Sequence, residues 1–120
     1  MNAKVDIDDI QVFWSYAEPT TPAIVVVKGE LGLNIAYRLR TVLFELIDLM
    51  EPDRDLYVDL RHVDYISSSG VGILSAAMVR AGERRINFYV SSMMPKVRVV
   101  FDTLGLSSWF TEKNPIAQEP

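Results

Sequence analysis

The period of the hydrophobic positions changes repeatedly along the chain, and each change marks an expected element. Residues 10–17 alternate, with Ile10, Val12, Trp14 and Tyr16 on one side and Gln11, Phe13 and Ser15 on the other. A period of two is that of a half-buried strand. Glu18-Pro19-Thr20-Thr21-Pro22 reads as a loop, because its prolines lack the N–H that a sheet ladder needs. From Ala23 to Lys28 the run is continuous and β-branched, as in a strand covered on both faces, and it should pair antiparallel with the first. The period then becomes helical: Ile35, Leu39, Val42, Leu43, Leu46 and Met50 form one stripe, with Asn34 as the expected N-cap and Pro52 beyond the end.

The alternation of strand and helix continues. Asp55 to Leu60 reads as a second buried strand. A helix is expected from about Ser69 to Ala81, with Val71, Leu74, Met78 and Ala81 on its apolar row and Gly82 as its C′ residue. Ile86 to Val90 follows as a strand. Pro95 suits the first position of a third helix, whose Val97, Val100, Phe101 and Leu104 face inward and which Gly105 ends. Ser107-Ser108-Trp109-Phe110 reads as a short turn on the core, with Trp14, Tyr16 and Trp109 as core or edge cover. Beyond Thr111 the chain is polar, contains two prolines and is expected to fray. The pattern implies an α/β domain over residues 1–112 with a tail at 113–120. Its mixed sheet has four to five strands, including an antiparallel N-terminal pair, and three to four helices packed on it. Strands joined through helices should be parallel, with right-handed crossovers.

Composition narrows the chemistry. A net charge of −4 over 120 residues, with no basic run, argues against nucleic acid as a partner. The absence of cysteine removes disulfides and thiolate catalysis. The first eight residues are mixed and acidic, unlike a signal peptide, and no apolar run reaches the ~20 residues that span a bilayer. A soluble, cytoplasmic protein is expected. No enzyme motif stands out. The single histidine, His62, has no patterned link to a serine, and Asp59 and Asp64 alone make a poor metal site. Gly70-Val71-Gly72 is too short for a nucleotide loop. No cofactor and no metal is expected. Arg38, Arg40, Arg84 and Arg85 read as a solvated face, with docking of a partner as the alternative, and Met93-Met94 as core filling or an adaptable contact.

One stretch concentrates what remains: Val58-Asp59-Leu60, then Val63-Asp64-Tyr65-Ile66-Ser67-Ser68-Ser69-Gly70-Val71-Gly72. Three serines stand where an apolar strand passes into an apolar helix. Serine hydroxyls cap helix N-termini by accepting N–H bonds that the first turn leaves free. The same place carries the positive end of the helix dipole and tolerates an anion such as a phosphate group.

This stretch resembles the signature of STAS domains, and most closely that of the bacterial anti-sigma-factor antagonists. Val26-Val27-Lys28-Gly29-Glu30-Leu31 resembles the family's strand ending in G-E-L-D. Pro95-Lys96-Val97-Arg98-Val99-Val100-Phe101, with Leu104-Gly105-Leu106, resembles its last helix. The resemblance implies a STAS-like sheet with helices packed on it. It also implies a switch: the serine two positions before the motif glycine, here Ser68, is the phosphoacceptor, with Ser69 as second choice. The implied partner is an anti-sigma factor that is itself a serine kinase, and a serine phosphatase would reset the switch. The contact surface implied is Glu30, Leu31, Gly32 and Asn34 together with Ser67, Ser68, Ser69, Gly70 and Val71, on a monomer or weak dimer. Two positions depart from the family pattern, which has aspartates where Gly32 and Ser67 stand. Alternative readings are a non-switching STAS scaffold of a stress-signalling complex and a small-ligand-binding STAS module.

Overall fold

The computed structural model describes residues 2–7, 9–15 and 21–113. The two most apolar strands lie at the heart of its sheet. They are β3 (Ala23–Leu31) and β4 (Asp55–Ile66), flanked by β1 (Asn2–Ile7) and β2 (Ile10–Ser15) on one side and by β5 (Asn87–Ser91) on the other. β1 and β2 pair antiparallel, as do β2 and β3, whereas β3, β4 and β5 are mutually parallel. The parallel pairs are joined through α1 (Leu33–Leu49) and α2 (Ser68–Glu83), and α3 (Pro95–Thr103) follows β5. This is the mixed sheet expected, with five strands and three helices among the described residues.

Burial follows the patterns that predicted the elements. Tyr57 and Val58, consecutive on β4, are both essentially inaccessible, so that strand is covered on both faces. α1 buries Ala36, Leu39, Leu43, Leu46 and Ile47, and α2 buries Val71, Leu74, Ala77 and Ala81. α3 inserts Val97 and Phe101, and the Phe101 ring meets Phe110 edge-on at 5.2 Å between centroids.

Several expectations are corrected. The strand β1 is not among the expected elements, although Ala3, Val5 and Ile7 alternate with Asn2, Lys4 and Asp6 at a strand period; the run is short and only three of its residues are apolar. Asn34 does not cap α1: the N-cap is Gly32, and Asn34 is the exposed second residue of the helix. β4 runs to Ile66, six residues beyond the expected end. It does so through two bulges. Val26 pairs with Asp59 but Lys28 with His62, and Gly29 with Val63 but Glu30 with Tyr65, so β4 twice uses one residue more than β3. At the first bulge the Asp59 carboxylate accepts the Arg61 N–H at 2.8 Å, replacing a ladder bond. α2 begins at Ser68 and passes through Gly82; the left-handed residue after it is Arg85, at φ +60°. Leu104 and Trp109 are exposed rather than packed inside. Tyr16, the loop at 18–20 and the tail at 114–120 lie outside the described residues.

The fraying expected after Thr111 does not begin there. Val90 donates its N–H to the Thr111 carbonyl at 3.1 Å, and Lys113 donates to the Val90 carbonyl at 3.0 Å, which lays residues 111–113 along the outer edge of β5. Arg98 of α3 grips the Glu112 carboxylate with two hydrogen bonds, at 2.5 and 2.8 Å. These bonds, and the positive charge of Arg98 beside them, hold Glu112 below the usual carboxylate range. A carboxyl whose pKa is lowered by folding adds stability above its ordinary pKa and loses it as the pH falls through the lowered value. Arg98→Ala should therefore destabilise the protein at neutral pH, and the difference from the parent should vanish in acid. Urea denaturation at a series of pH values measures it, and an equal difference at every pH would contradict the assignment.

Candidate functional site

Two strand ends and two helix starts meet at one corner. β3 delivers Leu31 and Gly32 to the start of α1, and β4 delivers Ile66 and Ser67 to the start of α2. Ser67 holds the two together. Its N–H donates to the Leu31 carbonyl at 3.0 Å, and its hydroxyl donates to the same oxygen at 3.3 Å. The Ser67 oxygen in turn accepts the Gly70 N–H at 3.1 Å, which is an N-cap bond on α2. One side chain thus caps a helix and ties it to the neighbouring strand.

Gly70 lies close under this knot. A Cβ built there would stand 2.8 Å from both the Leu31 carbonyl oxygen and Ile66 Cγ1. The helix can approach the end of β3 only because position 70 has no side chain. Gly72, two residues further along α2, differs: a Cβ there would meet nothing within 4 Å.

Ser68, the first residue of α2, is exposed, and its hydroxyl makes no hydrogen bond among the described residues. Ser69 is half-buried. The first turn of α2 contains no acidic residue, so nothing on the helix itself neutralises the positive end of its dipole. Glu30 and Asn34 are exposed at the same corner, and Gly32 is half-buried. Three residues expected on the contact surface are not available to a partner's touch: Leu31, Gly70 and Val71 are buried and shape the corner from beneath.

The two departures from the resemblance acquire a structural meaning here. Gly32 is the N-cap of α1, and Ser67 is the N-cap of α2. Aspartate, serine and glycine all serve at N-caps, glycine only slightly less well. Both substitutions keep a capping residue type and remove a negative charge from the surroundings of Ser68.

Other candidate groups are scattered. His62 is exposed on β4 beside Lys28, Asp64 is exposed, and Asp59 is buried against the bulge. Among the described residues no three His, Cys, Asp or Glu side chains cluster as metal ligands. A depression of about 310 Å³ opens at the other end of α2, between Met78, Phe88, Tyr89 and Trp109. No helix among the described residues is long and apolar enough to cross a membrane.

The STAS domain family profile matches residues 14–119. The chain belongs to this family. Among curated relatives, the anti-sigma-B factor antagonist of Staphylococcus epidermidis is 28% identical over 82 residues, covering 68% of this chain and 74% of its own. Among solved structures, the anti-sigma factor antagonist SpoIIAA in its unphosphorylated form superposes with a TM-score of 0.71 at 18% identity, over 90% of each chain. The phosphorylated form of the Bacillus cell fate determinant SpoIIAA gives 0.65 at 18%, over 90% of this chain and 94% of its own. A STAS domain protein from Planctomyces limnophilus gives 0.72 at 16% identity, over 91% and 94%. These likenesses establish the STAS fold that the sequence motifs implied.

The exposed apolar side chains of this region were missed from sequence. Leu33 and Tyr37 on α1 and Tyr65 on β4 are each more than half exposed. For Leu33 and Tyr37 the available signal was their position off the predicted stripe, where a helix normally carries polar residues.

The geometry separates the serines and glycines by role. Ser67→Ala should cost about 1 kcal/mol through the lost cap, whereas Ser68→Ala should stay within about 0.5 kcal/mol of the parent. Gly70→Ala should lose about 1–3 kcal/mol to overpacking, while Gly72→Ala should gain about 0.5–1 kcal/mol from helix propensity. Chemical denaturation ranks the four. A loss for Ser68→Ala as large as that for Ser67→Ala would show that the wrong serine has been named as the cap.

Proposed function

We propose that this STAS domain is an anti-sigma-factor antagonist whose docking is switched by phosphorylation of Ser68. The observation that carries the reading is the division of labour between adjacent serines. Ser67 supplies the cap and the tie to β3, which leaves the Ser68 hydroxyl exposed on the first residue of a helix with no acid in its first turn. The hydroxyl is therefore open to a kinase without disturbing the fold. The partner would be an anti-sigma factor with serine kinase activity, which brings its own ATP, Mg²⁺ and base; this chain need offer only the acceptor oxygen.

The consequence of transfer follows from charge. Phosphate adds about −1.5 to −2 charges and a bulky hydration shell at the corner where a partner would sit. Within the domain the dianion is accommodated by the helix N-terminus. At an interface it must be desolvated, so the complex comes apart while the fold persists. Glycine and serine at positions 32 and 67, in place of aspartates, lower the negative charge that a phosphoryl donor meets on approach. Unphosphorylated, the protein binds the anti-sigma factor and releases the sigma factor for transcription; a serine phosphatase restores that state. The reading places the protein in the cytoplasm, as a monomer or weak dimer.

The test uses the anti-sigma factor kinases of the host with ATP. The expected result is one phosphate, on Ser68, lost in Ser68→Ala, with binding that Ser68→Asp weakens and Ser68→Ala keeps. Phosphate found elsewhere, or full binding by Ser68→Asp, would refute the switch.

A further inference from the structure

The two helices beside Ser68 enclose a valley that is filled at one end and open at the other. β3, β4 and β5 are parallel, so α1 and α2, the crossovers between them, run side by side in the same direction. On α1 the residues Leu33, Tyr37, Arg40, Phe44 and Asp48 recur at helical spacing, and the last two meet α2. Asp48 takes two hydrogen bonds from the Arg80 guanidinium, at 2.9 and 2.7 Å, and Arg84 donates to its carbonyl at 3.0 Å. The Phe44 ring lies under Arg80 at 4.9 Å and under Arg40, of its own helix, at 4.5 Å. These contacts close the C-terminal half of the valley. At the other end, Leu31 pairs with Ile66 and each helix begins two residues later, so the first turns of α1 and α2 lie level with one another.

That N-terminal half has one tall wall and one low one. Leu33 is 59% and Tyr37 65% exposed. Across from them α2 offers half-buried Ser69 and Ile73 and exposed Ala76, with Gly72 bare on its crest. Ser68 lies just over that crest. The open stretch from Leu33 to Arg40 spans about 10 Å, two turns of helix. Large exposed apolar side chains facing a low wall are the form of an interaction site rather than of an ordinary solvated helix face. At the inner limit of the opening, Arg40 is exposed and has no carboxylate partner among the described residues.

We infer that the valley between α1 and α2 receives a helix of the anti-sigma factor, anchored on Leu33 and Tyr37 and carrying a carboxylate that meets Arg40. A helix fits because two side-by-side helices present a groove for ridges, and an apolar face repeating at three and four residues would match Leu33, Ile73 and Tyr37. The acidic residue follows from the charge left unmatched at Arg40. This deepens the proposed function and rests on it. It explains why a phosphate on Ser68 would act on binding: the docked helix passes over Gly72, within reach of the new dianion.

The experiment takes the host anti-sigma factor that binds the unmodified protein and measures its affinity for variants. Tyr37→Ala should weaken binding about tenfold or more. Arg40→Glu should weaken it by about tenfold and reduce its salt dependence. Val99→Ala, which removes an equally exposed side chain from α3, should change nothing. If Tyr37→Ala and Arg40→Glu bind like the parent while Ser68→Asp does not, the valley is not the docking site and the switch stands. If no host anti-sigma factor binds the unmodified protein at all, the switch fails and takes the valley with it.

Discussion

The carbonyl of Leu31 is where this structure is joined. It accepts both the backbone N–H and the hydroxyl of Ser67, and Gly70 packs against it at a distance no side chain could tolerate. Through that oxygen the end of one central strand is fixed to the start of the helix that follows the next. The two bulges in β4 serve the same junction, because they shift its last residues until Ile66 reaches Leu31 in the ladder. Remove the tie and the corner has no reason to hold Ser68 outward. The exposure of one hydroxyl is the result of its neighbour's being fully engaged.

The cap positions show how this corner can vary without losing its form. Helix N-termini need an oxygen or a permissive backbone, and several residue types provide one. Gly32 and Ser67 fill the two caps without charge. The corner therefore keeps its geometry while its electrostatics differ from those of a corner capped by carboxylates. Geometry and charge at the site are separable properties, and a sequence motif that mixes them understates how much of the geometry is retained.

The fold was largely legible because its core strands and helices carry uninterrupted periods: the β-branched run from Ala23, the stripe from Ile35 to Met50, and Pro95 at a helix start. What escaped had a local physical cause. The strand at 2–7 alternates apolar and polar residues but is short, and it pairs antiparallel with β2 along its whole length. The extension of β4 is hidden because bulges break the alternation that would have announced it. Asn34 was favoured over Gly32 as a cap because an amide oxygen is a visible signal and an extended glycine is not. Gly82 looked like a helix end, yet the turn of the chain falls at Arg85. Of the site, the serines were legible through their place between strand and helix. Leu33 and Tyr37 were overlooked although they stand off the apolar stripe of α1, and Tyr65 lies on the part of β4 that the bulges hide. Leu31, Gly70 and Val71, named with the contact surface, support it from within.

The short segment along β5 has a consequence for how the molecule meets its neighbours. A terminal strand with unmet N–H and C=O groups is a template on which other chains can stack. Here Thr111 and Lys113 satisfy Val90 from outside, and the Arg98–Glu112 pair pins them in place. At Val90 the outer flank of the sheet is thus occupied by the protein's own chain, which disfavours strand addition at that point.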